Sequence, residues 1–132
     1  MEQHQKNAFA IAKWLQEQPR VQYVLYPGLE NHPGYEINKA QTTGFGGMIS
    51  FAVDSAETAR QILEGVKLIK FAESLGGTES LITYPIRQTH TDLTAEECAE
   101  KGITDCLLRF STGIEATQDL IDDLAQAFAA VK

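Results

Sequence analysis

The sequence predicts an α+β fold, a two-layer sandwich in which a mostly antiparallel sheet carries helices on one face. Of the 132 residues, 43% are hydrophobic and 22% are charged, which is typical of a single folded domain spanning 1–132. Helical and strand-like patterns alternate along the chain, with no repeat and no linker between them. The strand-like segments are short and not uniformly apolar, as in antiparallel sheets covered on one face.

The first third of the chain predicts one amphipathic helix and one strand. Apolar residues recur at helical spacing over 3–17, and Pro19 ends that helix. A β-branched and aromatic run over 21–26 predicts a strand, because a Pro-Gly pair closes it. Turn residues follow at 31–34, and 35–41 is long enough for one or two helical turns.

The middle of the chain predicts a glycine turn, a strand and a capped helix. The glycines of 44–47 precede the apolar strand 48–53, so they indicate a tight turn. A dinucleotide site would place its glycines after a strand and before a helix. Asp54 with Glu57 three residues later matches a capping box, and apolar positions at helical spacing follow it.

The second half of the chain adds three strands and two helices. Strands are predicted over 68–72 and 80–84, and a second capping pattern, Thr94 with Glu97, opens a short helix that ends at Gly102. A strand over 107–111 and an amphipathic helix over 116–131 complete the fold. The total is about five strands and four helices.

Charge and composition exclude several classes of partner. Eleven basic against eighteen acidic residues give a net charge of −7, and such a surface repels nucleic acid and anionic lipid. No apolar run has the length of a membrane span, and the N-terminal segment does not resemble a signal peptide, so we expect a cytoplasmic protein. Cys98 and Cys106 are expected to be reduced thiols, and the scattered histidines suggest no metal site.

Two segments are candidates for binding. The glycine-rich stretch 73–77 directly follows a predicted strand, so its backbone N–H groups and the Ser74 hydroxyl suit an anion or a substrate carboxylate. Arg109 lies in a strand with apolar neighbours, where a charge is costly unless it is paired, and its planar guanidinium suits a carboxylate. For the stretch 73–77 the alternative is an ordinary turn between strands, and for Arg109 it is an arginine on the solvent-exposed face of the sheet. The acidic pairs 96–97 and 122–123 are interpreted as solvated helix charges.

Motifs spread over the whole chain resemble one enzyme family. In order, they are Asn7-Ala8, Tyr26-Pro27-Gly28-Leu29, His32-Pro33, 43–48, 73–82, Thr89-His90, Gly102-Ile103-x-Asp105 and 108–115. Together they resemble the C-terminal domain of the pyridoxal-phosphate-dependent Cys/Met metabolism enzymes. That family includes cystathionine γ-synthase, cystathionine β-lyase, cystathionine γ-lyase and methionine γ-lyase. The S-L-G-G and L-R-F-S-x-G-I-E blocks are its most specific parts.

The resemblance implies the smaller, substrate-side domain of a fold-type-I enzyme. In such enzymes a large upstream domain binds pyridoxal 5'-phosphate (PLP) through a Schiff-base lysine, and the complete enzyme is commonly a homotetramer. No Ser-x-Thr-Lys-like motif for that lysine occurs in this chain. We therefore expect Met1 to be internal to a longer enzyme, and the chain alone to be inactive and to hold no catalytic or cofactor-binding residue.

The resemblance also implies roles for four residues. Arg109 matches the arginine that pairs with the substrate α-carboxylate, and Ser74 matches a serine that positions this carboxylate and the cofactor lysine. Thr89 matches a threonine close to that arginine. Glu73 matches a position that tunes substrate choice, where a carboxylate would attract the distal ammonium of cystathionine.

The stretch 83–90 looks more like cystathionine γ-synthases and β-lyases than methionine γ-lyases, so we expect a transsulfuration enzyme that handles cystathionine. A free-standing, non-catalytic domain that binds an amino acid or a partner protein is the alternative.

Overall fold

A computed structural model describes residues 1–132 and contains one five-stranded sheet. The strands are β1 (Val21–Leu25), β2 (Met48–Val53), β3 (Lys70–Phe71), β4 (Leu81–Thr83) and β5 (Leu107–Ser111). Their order across the sheet is β1-β2-β5-β4-β3. All neighbours are antiparallel except β3 and β4, which are parallel. The predicted α+β sandwich with a mostly antiparallel sheet is therefore confirmed.

Six helices accompany the sheet. They are α1 (Glu2–Gln16), α2 (Tyr35–Gln41), α3 (Ala56–Gly65), α4 (Pro85–Gln88), α5 (Ala95–Glu100) and α6 (Thr117–Ala129). Helix α4 was not predicted, because Pro85 looked like the end of a strand; its fixed φ also suits the first turn of a helix, where it lies. None of the helices is long and apolar enough to cross a membrane.

The three long helices cover one face of the sheet. Their apolar stripes join the sheet in one cluster of 20 buried residues, to which β5 contributes Leu108 and Phe110. Since side chains alternate along a strand, Leu107, Arg109 and Ser111 lie on the opposite face, here called the open face. At one end of this face α5 packs against Leu107 through a small cluster with Cys98 and Ile103. Ile86 of α4 packs against the same cluster.

One of the two predicted helix caps is wrong and the other is confirmed. Helix α3 begins after Ser55, whose hydroxyl accepts the Thr58 N–H at 3.0 Å, so Asp54 and Glu57 do not form a capping box. Asp54 instead accepts hydrogen bonds from Arg20 and from the Thr58 hydroxyl. In α5 the box between Thr94 and Glu97 is complete.

Asp123 is a third departure from the predictions. It was interpreted as a solvated charge, but it is 7% exposed. Its carboxylate accepts the backbone N–H groups of Lys67, Leu68 and Ile69, the last at 2.8 Å. Because these N–H groups bind a side chain, they do not join the sheet, and the strand predicted over 68–72 is reduced to the two residues of β3.

Candidate functional site

Arg109 lies at the centre of the open face. It occupies the middle of β5, which is the middle strand of the sheet. Its partners in register are Ser50 on β2 and Thr83 on β4. On the same face of β5, Leu107 and Ser111 are buried, whereas Arg109 is only half-buried. The fold therefore places a half-buried guanidinium group at the middle of the open face.

The guanidinium of Arg109 has no acidic partner. The ion pairs of the protein join Arg20 to Asp54 and Arg60 to two glutamates on its own helix. Arg109 makes a single hydrogen bond, in which its Nη2 donates to the backbone carbonyl of Glu73 at 3.1 Å. A guanidinium carries five N–H donors, so several remain for an anion from outside the chain.

The glycine loop, residues 73–77, lies between β3 and β4 and supplies that carbonyl. Glu73 and Ser74 are exposed, and neither side chain forms a hydrogen bond within the chain. Further along, the Gly76 N–H donates to the Ser111 hydroxyl at 2.9 Å, and the Gly77 carbonyl lies 3.1 Å from the His4 ring Nε2. The loop is thus held at both ends by hydrogen bonds. The side chains of Glu73 and Ser74 take no part in these bonds and remain exposed.

A second group of contacts fixes the chain just after the loop. The Glu115 carboxylate accepts the Ser80 N–H at 2.6 Å and the Ser80 hydroxyl at 2.8 Å. The Ser80 hydroxyl also accepts the Gly113 N–H at 2.8 Å, and the Ile114 N–H donates to the Thr78 carbonyl at 2.9 Å. Sequence reasoning missed Ser111 and Glu115; their only signal was that both polar residues lie in the L-R-F-S-x-G-I-E block.

The structure brings only some of the predicted residues together. Glu73 and Arg109 are in direct contact, and Ser74 is next to Glu73 in the same loop. Thr89 follows α4, where its hydroxyl interacts with the Pro85 carbonyl at 3.4 Å and with the His90 ring at 2.7 Å. No hydrogen bond joins Thr89 to Arg109, so its role stays a prediction.

A cavity of about 710 Å³ lies elsewhere, between α1 and the segment 26–45. Its lining includes Phe9, Tyr35 and Phe45, and Tyr35 stacks on Phe45 with ring centroids 5.4 Å apart. None of the predicted binding residues lines it. The guanidinium of Arg109, which has no acidic partner, is therefore a better indicator of a binding site than this cavity.

Comparison with known proteins identifies the family. A family model described as Cys/Met metabolism PLP-dependent enzyme matches residues 1–129. The chain belongs to this family. It is 52% identical over 128 residues to a cystathionine γ-lyase of Dictyostelium discoideum and 50% identical over 127 residues to one of Bacillus subtilis. These alignments cover 96% of the chain but 33% and 34% of the two relatives.

Solved structures of Cys/Met metabolism enzymes share the fold. The cystathionine γ-synthase of Xanthomonas oryzae pv. oryzae, solved in complex with aminoacrylate and cysteine, superposes with a TM-score of 0.93 at 44% identity. The match covers 98% of this chain and 34% of that one. The chain therefore spans about one third of the length of the relatives that it matches.

Family membership implies PLP as cofactor, but the residues of this chain do not form its site. Covalent binding of PLP requires a lysine held in a sheltered pocket. Every lysine of the chain is exposed, and none forms a hydrogen bond or ion pair with the glycine loop or with Arg109. The residues of this chain that remain candidates for binding lie around Arg109 and the glycine loop.

Proposed function

We propose that the chain is the C-terminal, substrate-side domain of a longer PLP-dependent transsulfuration enzyme, a cystathionine γ-synthase or a cystathionine β- or γ-lyase. In this proposal Arg109 binds the α-carboxylate of a sulfur amino acid such as cystathionine. The observation that carries it is the half-buried guanidinium without an acidic partner on the open face. Membership of the Cys/Met metabolism family supports the reaction class.

The contact with Glu73 prepares Arg109 for this task. A planar guanidinium binds a carboxylate best through two parallel hydrogen bonds, which require a fixed side-chain orientation. The Glu73 carbonyl occupies one Nη2 donor and so restricts the orientation of the others before a ligand arrives. Holding the substrate at its carboxylate fixes the bond that is to break, and such positioning can contribute several kcal/mol to catalysis. PLP, when bound, supplies the electron sink for the reaction.

The remaining residues and partners follow from the same assignment. The exposed Ser74 hydroxyl assists in positioning the carboxylate, the Glu73 carboxylate selects substrates, and Thr89 lies near the bound substrate in the complete enzyme. The large PLP-binding domain of the same protein is the partner of this domain. The complete enzyme is a cytoplasmic homotetramer, and the isolated chain is inactive because it lacks the Schiff-base lysine motif and the segments that hold PLP.

Substitution of Arg109 tests the carboxylate role. In the full-length holoenzyme Arg109→Ala should lower kcat/KM by about tenfold or more, because a hydrogen-bonded charge pair is lost. Arg109→Lys keeps the charge but loses the planar fork, and it should recover only part of the activity. Arg60→Ala is the matched control, since it removes the same charge from the exposed surface of α3. An unchanged kcat/KM in Arg109→Ala would disprove the carboxylate role.

The mass of the native protein tests the domain assignment. An antibody raised against this chain should detect a product several-fold heavier than 14.6 kDa. A native product of 14.6 kDa would favour the free-standing, non-catalytic domain instead.

A further inference from the structure

Two residues outside the proposed carboxylate contact hold the glycine loop against β5. Ser111 lies two positions after Arg109 on the same face of β5, and its buried hydroxyl accepts the Gly76 N–H at 2.9 Å. His4, in the first turn of α1, contacts the Gly77 carbonyl through its ring Nε2 at 3.1 Å. Both contacts lie within four residues of Glu73, whose carbonyl binds Arg109. The loop is therefore tied to the strand that carries the arginine.

The ring of His4 is held in an unusual environment. A carbonyl oxygen only accepts, so Nε2 carries a proton and donates to Gly77. Nδ1 is buried, and it is the only buried side-chain nitrogen or oxygen atom in the chain without a hydrogen-bond partner. A buried polar atom without a partner is unfavourable, so such an exception requires an explanation. The explanation is that the hydrogen bond from Nε2 to the Gly77 carbonyl holds the ring in this buried position.

His4 is itself anchored to β5. Its backbone carbonyl accepts the Thr112 hydroxyl at 2.9 Å, and Thr112 directly follows the last residue of β5. The ring therefore sets the distance between the Gly77 carbonyl and the end of the strand. Ser111 does the same for Gly76 from within the strand. Two independent contacts thus define the position of the loop relative to Arg109.

We propose that His4 and Ser111 are positioning residues of the substrate-carboxylate site. By fixing Gly76 and Gly77 to β5 they place the Glu73 carbonyl against Arg109 Nη2, and this contact orients the guanidinium donors that receive the carboxylate. The proposal rests on the function proposed for Arg109. It differs from a purely structural role because the effect of His4 and Ser111 on substrate affinity must depend on the presence of Arg109.

Kinetics of the full-length holoenzyme test this proposal. His4→Phe keeps a planar ring but removes the donor, and it should raise KM for the amino-acid substrate by about fivefold or more while kcat changes less than about twofold. His4→Gln retains an N–H donor and should restore most of the affinity. Ser111→Ala should behave like His4→Phe. His32→Phe is the matched control, since that ring accepts the Gly34 N–H in a different loop, and it should leave KM unchanged.

A double variant tests whether the effect passes through Arg109. In an Arg109→Ala background His4→Phe should change KM by less than about twofold, because the group that it orients is gone. Equal effects of His4→Phe in both backgrounds would overturn the proposal. Hydrogen exchange gives a readout that is independent of activity: the amides of 74–78 should exchange faster in His4→Phe and Ser111→Ala, and unchanged exchange would also overturn it.

These outcomes separate the two proposals. If Arg109→Ala lowers kcat/KM but neither His4→Phe nor Ser111→Ala alters KM, the positioning role is wrong and the function proposed for Arg109 stands. If Arg109→Ala leaves kcat/KM unchanged, the carboxylate role fails and the positioning role fails with it.

Discussion

Glu73 places two chemically different groups near Arg109, a backbone carbonyl and a side-chain carboxylate. Its backbone carbonyl accepts a hydrogen bond from Arg109 at 3.1 Å, whereas its exposed carboxylate has no partner in the chain. The neutral carbonyl leaves the charge of the guanidinium uncompensated, so the arginine still attracts an anion. Because the backbone of Glu73 is fixed, its carboxylate stays within side-chain reach of whatever Arg109 binds. A substrate with a distal ammonium group would meet both charges.

Replacement of Glu73 should change substrate preference in the full-length enzyme. Glu73→Gln keeps the backbone carbonyl and the side-chain size, and it should lower kcat/KM for cystathionine relative to cysteine by about two- to fivefold, since an exposed ion pair contributes modestly. The difference should shrink at high salt. Glu79→Gln removes an equivalent charge from an exposed position six residues away and serves as control. Equal losses for both substrates would contradict a selector role.

The position of Arg109 on a strand was predictable, but the state of its charge was not. Local alternation of apolar residues shows which face a strand residue takes. Whether an acid lies opposite depends on contacts with residues distant in sequence, and the Glu73 carbonyl is 36 positions away. The burial of Asp123 could not be predicted for the same reason, because its carboxylate binds N–H groups 54 to 56 residues earlier in the chain.

The connection between β5 and α6 requires a glycine for close packing. Gly113 is buried, and its N–H donates to the Ser80 hydroxyl. A Cβ atom at this position would overlap the Thr78 carbonyl oxygen and lie 2.6 Å from the Glu79 carbonyl carbon. Both are backbone atoms, which cannot rotate away as the end of a side chain can. Glycine at position 113 therefore lets the connection between β5 and α6 lie closer to the backbone of Thr78 and Glu79 than any other residue would allow.

Gly113→Ala should destabilise the chain. We expect the free energy of unfolding to fall by about 1–3 kcal/mol or more, because the overlap forces a backbone shift. Urea denaturation followed by the fluorescence of Trp14, which packs edge-on against Phe128 of α6, measures this change. Gly34→Ala is the control, since its Cβ would meet only the His32 ring at 3.4 Å. Equal losses in the two variants would refute close packing as the cause.

At the level of elements, the sequence predicts best what depends on local periodicity. The three long helices and the strands β1, β2 and β5 follow directly from it. Errors occur where one contact overrides the pattern. Asp54 fits a cap by spacing, but it pairs with Arg20, and the neighbouring Ser55 takes the cap. The strand predicted over 68–72 is shortened because Asp123 binds the N–H groups that precede β3.

Across the whole molecule, Tyr26 links the end of β1 to the glycine turn before β2. Its side chain is completely buried, and its hydroxyl donates to the Gly46 carbonyl at 2.9 Å. Gly46 adopts a φ of +74°, which confirms the predicted glycine turn. Burial disfavours the phenolate and raises the pKa of Tyr26 from 10.0 to about 12.

Stability should therefore decline in alkali. The unfolded chain releases the Tyr26 proton near its ordinary pKa of 10.0, while the folded chain retains it up to about 12. The contribution of Tyr26 is fully present below the lower value and is lost as pH rises through this window. Urea midpoints at about pH 8 and about pH 11 should show the loss. Tyr26→Phe should show a smaller one; an equal decline in both proteins would exclude Tyr26 as its source.

The order of the strands has a consequence for synthesis of the chain. The middle strand, β5, is the last strand to be translated, and it joins a β1–β2 pair to a β3–β4 pair. Until Ser111 has left the ribosome, β2 and β4 each present an unpaired inner edge, the kind of surface on which chaperones and misfolded neighbours act. Arg109, to which we assign carboxylate binding, is translated as part of that same strand. The nascent chain therefore completes its sheet and gains the proposed ligand-binding arginine in one late step.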